Sequence, residues 1–152
     1  MITVVKRSVS ELLDDPGFPG LLEEYAAESA LDGLPPAGQK FEVYRLMETA
    51  GTFHCYGAYA GGQIVGFVTL LTPIIPHYGV SVGVTESLFA AKAYRKKGVG
   101  LKLLRAAEKH ARAAGCPAFM VSAPSGGTLV DVLSGLAYHE TNRVFTKVFA
   151  NG

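Results

Sequence analysis

The sequence has little net charge and few cysteines. Its formal net charge is +1 over 152 residues, which argues against a protein that binds nucleic acid or anionic membranes over a broad surface. Cys55 and Cys116 lie far apart and form no C-x-x-C pair, so we interpret them as reduced thiols of a cytosolic protein. The 4 histidines have no metal-ligand spacing, so the sequence predicts no metal site.

Long hydrophobic segments are also missing. The first residues lack the charged, apolar and small-residue regions of a signal peptide. The longest apolar run, residues 64–75, is too short to cross a bilayer. Apolar residues make up 49% of the chain and charged residues 18%, which favours a packed core over disorder. We therefore expect a single cytoplasmic domain over residues 1–152, without a membrane or nucleic-acid partner.

The first half of the chain predicts a strand, then helices, then an antiparallel meander. Ser8 and Glu11 have the spacing of a capping box that begins a helix. Gly51 is placed to end the helix before it, and Gly61-Gly62 between two β-rich runs is a hairpin signal. The expected elements are a strand at residues 2–5, helices at 21–30 and 39–50, a loop at 31–38, and strands at 53–60 and 63–71.

The second half predicts a strand–helix–strand unit followed by shorter elements. Residues 80–90 have strand character, and residues 98–114 carry apolar and basic faces at helical spacing. A strand at 118–123 should then lie parallel to the first one through a right-handed crossover. A short helix at 128–133 and strands at 137–141 and 143–149 complete the expected elements.

The most informative segment joins the strand at 80–90 to the helix that follows. Residues 95–100 read Arg-Lys-Lys-Gly-Val-Gly, and we call this segment the basic turn. It places cations and glycines where a helix begins. Free N–H groups, the positive end of the helix dipole and nearby cations together favour a bound phosphate group.

Two common phosphate-binding loops do not fit the basic turn. A nucleoside-triphosphate loop requires Gly-Lys-Ser/Thr after a first glycine, and this sequence has no such segment. A dinucleotide loop requires G-x-G-x-x-G, but Leu103 stands where the third glycine would be. The acidic residue expected about 20 residues later is also missing.

The remaining pattern is R-x-x-G-x-G, formed by Arg95, Gly98 and Gly100. It follows a strand that ends in Leu88-Phe89-Ala90 and opens an amphipathic helix. This arrangement resembles the signature of the GNAT superfamily of N-acetyltransferases, which use acetyl-CoA. The resemblance implies an α/β fold with a central, mixed, mostly antiparallel sheet of about seven strands and helices on both faces.

The resemblance also implies where the coenzyme binds. The backbone of Leu88, Phe89 and Ala90 would pair with the pantetheine arm as an added strand. The pyrophosphate would lie against the basic turn, whose residues are Arg95, Lys96, Lys97, Gly98, Val99 and Gly100. Lys97 and Lys102 are the cations expected to reach the phosphates, whereas Arg95 is also suited to shaping the loop.

Glu86 is the candidate general base. Simple alternation along the strand places it on the same face as Val84 and Leu88. A carboxylate on that apolar face is costly unless it is paired, and it suits the removal of a proton from an ammonium group. The other interpretations are a buried carboxylate that bonds to a Tyr or Arg, and a bulge that turns Glu86 to solvent.

The sequence departs from the family pattern near the expected proton donor. Asp131 stands where many members have a tyrosine, and Lys92 stands where many have a proline. Tyr138 is a candidate acid, although half-buried packing is the other interpretation. The missing tyrosine, together with an asparagine that many members carry in the same late helix and this sequence lacks, supports an alternative function, a non-catalytic coenzyme-A-binding regulatory or structural module. A module for the phosphate of another nucleotide is a third alternative.

The favoured function is direct transfer of the acetyl group of acetyl-CoA to a primary amine of a small molecule or peptide. Glu86 would assist deprotonation, and N–H groups near residues 88–90 would polarise the thioester carbonyl. The acceptor would enter between the loop at 31–38 and the connection at 73–79, where Glu23, Glu24 and Glu28 would attract a cation. An exposed C-terminal strand suggests pairing with a second subunit as a homodimer.

Overall fold

The structure is a computed structural model that describes residues 1–38 and 40–149. Its elements up to the central hairpin are β1 (Ile2–Arg7), α1 (Val9–Asp14), α2 (Phe18–Ser29), α3 (Phe41–Thr49), β2 (Phe53–Ala60) and β3 (Gln63–Leu71). The elements that follow are β4 (Ile74–Ile75), β5 (Val80–Ser81), β6 (Gly83–Ala90), a 3-10 helix (Lys92–Lys97), α4 (Val99–Ala113), β7 (Phe119–Met120) and α5 (Thr128–Ser134).

The central sheet has five strands in the order β1-β2-β3-β6-β7. All neighbouring strands are antiparallel except β6 and β7, which are parallel across the α4 crossover. The predicted α/β class and the mostly antiparallel mixed sheet are therefore confirmed. The sheet has five strands and not the expected seven, because the two C-terminal strands do not join it; β4 and β5 form a separate two-stranded ribbon.

The two strands predicted at residues 137–141 and 143–149 do not form, and this part of the prediction is wrong. All of these residues are described, and none of them is assigned to a strand. Ala137 has a φ of +64°, a left-handed conformation that turns the chain where the first strand should begin. The edge strand β7 is only 2 residues long, so it offers few backbone groups for a further strand to pair with.

Local signals in the first half of the chain set the element ends. The Glu11 amide donates to Ser8 Oγ and the Ser8 amide donates to Glu11 Oε2, each at 3.1 Å, so the predicted capping box is confirmed. Gly51 follows α3 with a φ of +80°, as expected for a helix-ending glycine. The helix predicted from residue 39 begins at Phe41; Gln39 itself lies outside the described residues.

Helices cover both faces of the sheet, as predicted. Helices α1 to α3 pack on one face around Phe18, Leu21 and Phe67, and α4 packs on the other through Val99 and Leu103. The α4 side depends on glycine at close approaches. A Cβ at Gly83 would lie 2.6 Å from the Ala111 Cβ, so a larger residue there would push α4 away from the sheet.

Candidate active site

The gap between β6 and β7 is the first feature of the candidate site. The two strands pair only at Gly83 with Phe119 and Val84 with Met120. One residue later, the Ser122 amide donates to the Thr85 hydroxyl at 3.2 Å instead of to backbone. Beyond that point the β7-facing edge of β6 has no strand partner among the described residues.

The hydrogen-bonding pattern shows which backbone groups of β6 face this gap. The Ala91 amide donates to the Val65 carbonyl at 2.8 Å, so alternation turns Phe89 toward β3 and turns Leu88 and Ala90 toward the gap. Arg95 Nε donates to the Ala90 carbonyl at 3.0 Å. The Leu88 backbone and the Ala90 amide are therefore the groups available to an extended ligand, whereas the predicted Phe89 backbone faces the sheet.

The basic turn leads directly into α4, so a helix begins there as predicted. Gly98 adopts a φ of +77° between the 3-10 helix and α4, a conformation that favours glycine. The first amide of the helix with a backbone acceptor is that of Lys102, which donates to the Gly98 carbonyl at 3.1 Å. The preceding amides of Val99, Gly100 and Leu101 have no acceptor within residues 1–38 and 40–149, and they suit a phosphate.

Carboxylates of α2 hold the basic turn in place. Arg95 Nη2 donates to Glu28 Oε2 at 2.6 Å, and this contact lowers the pKa of the Glu28 carboxyl. The Lys92 amide donates to Glu24 Oε1 at 2.9 Å. Glu28 therefore contacts the basic turn, and Glu24 contacts Lys92 just before it. Both carboxylates were expected to attract the acceptor. Their spacing on α2 gave no sign of this partner, because the contact spans distant parts of the chain.

The lysines predicted to reach the phosphates lie in different places. Lys96 and Lys97 are exposed on the turn, and the Lys97 Nζ lies 4.8 Å from the centre of the Tyr94 ring. Lys102 Nζ donates to the Ile2 carbonyl at 2.9 Å, and Ile2 belongs to the edge strand opposite β7. The structure therefore brings the first two lysines to the turn and directs Lys102 away from it.

Glu86 lies at a β-bulge between β3 and β6. The pairing passes from Thr69 with Ser87 to Leu70 with Thr85, so Glu86 is the extra residue on its strand. Its side chain is exposed, and the expectation that it shares an apolar face with Leu88 is wrong. The bulge is the reason, because one extra residue resets the alternation of the strand.

Hydroxyl groups surround the Glu86 carboxylate. Tyr44 Oη donates to Oε1 at 3.0 Å, and Thr69 Oγ1 donates to Oε2 at 2.6 Å. Thr69 Oγ1 also lies 2.5 Å from Ser87 Oγ. Since the Thr69 proton points to Glu86, Ser87 is the donor in that second bond. Burial and then the Glu86 charge raise the pKa of the Tyr44 phenol, so Tyr44 stays a neutral donor.

A pocket between the sheet and helices α1 to α3 opens beside Glu86. It encloses about 430 Å³ of empty space, part of which is open to solvent. Its polar residues gather at one end, where Glu86, Thr69 and Ser87 meet the phenols of Tyr25 and Tyr44. The other lining residues are Val9, Leu12, Phe18, Leu22, Gly38, Phe41, Phe53 and Phe67. Nothing in the sequence around Tyr44 showed that its hydroxyl meets Glu86.

Tyr138 lies apart from this pocket. Its ring packs against Phe119 of β7, with ring centres 6.5 Å apart. Burial and then the Glu108 charge on α4 raise the pKa of its phenol. The hydroxyl is buried and has no hydrogen-bond partner among the described residues. Because α4 and the Glu86 pocket lie on opposite faces of the sheet, the structure does not bring Tyr138 and Glu86 together.

The cysteines and histidines form no further reactive cluster within residues 1–38 and 40–149. Cys55 is buried, which raises the pKa of its thiol to about 12 and makes it a poor nucleophile. His54 and His110 stack with ring centres 4.2 Å apart. No group of three or more His, Cys, Asp or Glu side chains suited to a metal ion occurs in the described part of the chain.

Comparisons with known proteins agree with this architecture. The sequence model of the acetyltransferase (GNAT) family matches residues 18–127. No curated protein matches the chain by sequence. The helices in the described residues include none that is long and apolar enough to cross a membrane.

Solved structures with the same fold include several acetyltransferases. A ribosomal-protein-alanine N-acetyltransferase from Brucella melitensis biovar Abortus 2308 has a TM-score of 0.74 at 18% identity, covering 99% of this chain and 100% of that one. An aminoglycoside acetyltransferase from an uncultured soil metagenomic sample has a TM-score of 0.75 at 15% identity, with coverages of 99% and 97%. AAC(6')-Iy in complex with a CoA-containing bisubstrate analogue has a TM-score of 0.74 at 18% identity, covering 97% of each chain.

The mixed sheet with the unpaired edge of β6, the glycine-started helix and the family match together define an acetyltransferase fold. The chain belongs to the acetyltransferase (GNAT) family. Members of this family use acetyl-CoA, as the sequence resemblance implied.

Proposed function

We propose that this protein transfers the acetyl group of acetyl-CoA directly to a primary amine held in the pocket beside Glu86. The observation that carries the proposal is the position of the Glu86 carboxylate. It lies at the polar end of the pocket, two residues beyond Val84, the last residue of β6 that pairs with β7. Acceptor and thioester would therefore meet at this carboxylate.

Acetyl-CoA would bind along β6 and the basic turn. The amides of Val99, Gly100 and Leu101 are free to donate to the pyrophosphate oxygens, and the Leu88 backbone is free to bond to the pantetheine arm. Lys96 and Lys97 add positive charge on the exposed side of the turn. The thioester supplies the activated acetyl group when the coenzyme is bound.

Glu86 would bind the acceptor as an ammonium ion and then take its proton. Each carboxylate oxygen accepts one hydroxyl and keeps a lone pair for the ammonium. The proton can also pass through Ser87 and Thr69, since Ser87 donates to Thr69 and Thr69 donates to Glu86. The freed nitrogen lone pair attacks the thioester carbon and the C–N bond forms. The nitrogen gives its second proton to water, and the C–S bond breaks to release the thiolate.

The leaving thiolate does not require a strong acid. A free thiol has a pKa of about 8.5, so the coenzyme sulfur can leave as a thiolate and take a proton from water. Tyr138 was the acid predicted from the sequence, and its hydroxyl lies on the α4 side of the sheet, near Glu108. The proposed reaction therefore proceeds without Tyr138.

The experiment measures free thiol release from acetyl-CoA with a set of amines for the wild type and Glu86→Gln. We expect kcat to fall by about 100-fold or more in Glu86→Gln, because general-base catalysis is worth at least that factor. Glu42→Gln is the matched control, since Glu42 is an exposed carboxylate on α3 that pairs with Arg45, and its kcat should not change. Equal rates for the wild type and Glu86→Gln would refute the role of Glu86.

A second outcome separates catalysis from simple binding. If acetyl-CoA raises the melting temperature but no amine causes thiol release, the non-catalytic coenzyme-binding module is the correct function. If neither acetyl-CoA nor coenzyme A raises the melting temperature, the proposed coenzyme site itself is wrong.

A further inference from the structure

Charge is divided unevenly between the two faces of the sheet. The layer of helices α1 to α3, residues 8–50, contains 9 of the 13 acidic residues and 2 of the 14 lysines and arginines. Residues 92–112 contain 8 lysines and arginines and one acidic residue, Glu108. Because α4 packs on the face opposite to α1 to α3, the molecule has an acidic face and a basic face despite its small net charge.

Cations follow one another along the exposed side of α4. They lie at steps of three and four residues, which places them in one line along the helix, and each is exposed: Lys102, Arg105, Lys109 and Arg112. Arg112 pairs with Glu108 at 3.8 Å. The first three form no ion pair with any residue that the structure describes, and we call Lys102, Arg105 and Lys109 the basic row.

A line of like charges is unfavourable for the helix itself. Cations three or four residues apart repel one another, whereas a glutamate at one of these positions would stabilise the helix. Lys102 gains a hydrogen bond, because its Nζ donates to the Ile2 carbonyl at 2.9 Å. No ion pair among the described residues offsets the repulsion at Arg105 and Lys109, so their charges suit a partner outside the chain.

The basic row begins next to the basic turn. The amides assigned above to the pyrophosphate belong to residues 99–101, and Lys102 follows them directly. At a rise of about 1.5 Å per residue, Arg105 lies about 6 Å and Lys109 about 12 Å farther along the helix than Leu101. These distances are close to the Debye length of about 8–10 Å at physiological salt, so both charges act on an anion that approaches the turn.

Part of the positive charge at the turn itself is neutralised. Arg95 pairs with Glu28 at 2.6 Å, and Lys92 pairs with the same carboxylate at 3.7 Å. The exposed Lys96 and Lys97 remain at the turn, and the basic row continues their positive charge along α4. Coenzyme A carries a pyrophosphate and a further phosphate on its ribose, so this strip attracts it and the acidic face repels it.

We propose that the basic row is an encounter surface, which attracts acetyl-CoA to α4 and guides its phosphates to the basic turn. The inference rests on the coenzyme site of the proposed function and concerns only how the coenzyme arrives there. The row raises the association rate constant kon, because a surface of one charge concentrates a ligand of the opposite charge. Since the row does not hold the bound coenzyme, the dissociation rate constant koff does not depend on it.

The test measures the binding kinetics of coenzyme A that carries a fluorophore on its sulfur. Stopped-flow traces are recorded at about 0.01 M and about 1 M salt, where the Debye length is about 30 Å and about 3 Å. For the double variant Arg105→Glu/Lys109→Glu, we expect kon to fall by about 10-fold at low salt and to match the wild type at high salt, with koff changed by less than about twofold. The neutral double variant Arg105→Gln/Lys109→Gln should give an intermediate kon.

The double variant Arg143→Glu/Lys147→Glu is the matched control, because it changes the net charge by the same amount. Both residues are exposed and lie on the C-terminal segment. That segment reaches the acidic layer, since a Cβ at Gly33 would lie 2.5 Å from the Val148 Cγ1. We expect the kon of this control to stay near the wild-type value at both salt concentrations.

The outcomes separate this inference from the coenzyme site itself. A wild-type kon at low salt in Arg105→Glu/Lys109→Glu would overturn the encounter surface and leave the coenzyme site intact. Equal losses of kon in this variant and in the control would also overturn it, because net charge and not the basic row would then set the rate. A change confined to koff would overturn it too, since the row would then contact the bound coenzyme. If coenzyme A, labelled or unlabelled, does not bind the wild type, the coenzyme site of the proposed function fails as well.

Discussion

Gly98 offers a sharp test of the phosphate-binding role of the basic turn. Its φ is +77°, and a Cβ added there would meet nothing within 4 Å. An alanine there would therefore lower the free energy of unfolding only by the backbone cost of the left-handed region, about 1–2 kcal/mol. In Gly98→Ala the chain must either carry this strain, with a lower free energy of unfolding, or move the turn into another conformation.

The effect on coenzyme binding is expected to be larger than the effect on folding. The amides of Val99, Gly100 and Leu101 follow Gly98 directly, so any relief of its strain reorients them. A hydrogen bond to a charged group is worth about 1.5–3 kcal/mol, so losing one of them raises the Kd of coenzyme A by about 10-fold or more. Isothermal titration calorimetry with coenzyme A measures this value directly.

Gly115→Ala is the matched control. Gly115 follows the other end of α4 with a φ of +85°, and its Cβ position is also open within 4 Å. We expect a similar loss of stability in urea unfolding and a wild-type Kd for coenzyme A. If Gly98→Ala lost stability as Gly115→Ala does but bound coenzyme A with wild-type affinity, the amides after Gly98 would not be the phosphate site.

Three further predictions follow from single contacts. Glu28→Gln should weaken coenzyme A binding in calorimetry, because Glu28 positions Arg95 through a contact of 2.6 Å; tighter binding would show instead that Glu28 acts only by its charge. Tyr138→Phe should keep kcat. It should leave the free energy of unfolding unchanged or raise it by about 1 kcal/mol, because the buried hydroxyl has no partner among the described residues. Loss of kcat would make Tyr138 the acid. Burial lowers the pKa of His110 from its ordinary 6.5 to about 4. Between these two pH values the unfolded chain binds a proton that the folded chain does not, so stability falls as pH falls from 6.5 toward 4. Because the ring is only partly buried, we expect a loss of about 1 kcal/mol between pH 8 and pH 5 in urea unfolding, with a smaller loss in His110→Gln; equal losses would contradict the argument.

Features set by neighbouring residues were predictable from the sequence. The Ser8 capping box, the Gly61-Gly62 hairpin with the bounds of β2 and β3, and the basic turn all depend on short-range chemistry. Gly61 and Gly62 have φ values of +57° and +81°, and glycine allows both in a tight hairpin. The capping box, the hairpin and the start of a helix directly after Gly98 are confirmed.

Features set by distant partners were not predictable. The face of Glu86 depends on a bulge that exists only because β3 pairs with β6 in a shifted register, and strand alternation alone carries no sign of that shift. The missing C-terminal strands show the same limit, since residues 143–149 have a strand-like sequence but Phe145 is 89% exposed. A strand needs a partner edge, and β7 provides only 2 residues.

Contacts between side chains from distant elements were also not predictable from the sequence. Lys102 carries the right charge near the basic turn, yet its ammonium donates to the Ile2 carbonyl on the far edge strand. Tyr44 and Thr69 come from separate elements and meet only at Glu86. The composition of the pocket is therefore a property of the folded chain, whereas the basic turn is a property of a continuous segment.

The most direct test of acetyl transfer at Glu86 measures the product of one reaction. The protein is mixed with acetyl-CoA and each of a set of primary amines, and the N-acetylated products are quantified by mass spectrometry for the wild type and Glu86→Gln, with enzyme-free acetyl transfer subtracted. We predict product from the wild type at a rate about 100-fold or more above that of Glu86→Gln. Equal product from both proteins, or none above the enzyme-free level from the wild type, would contradict acetyl transfer at the Glu86 carboxylate.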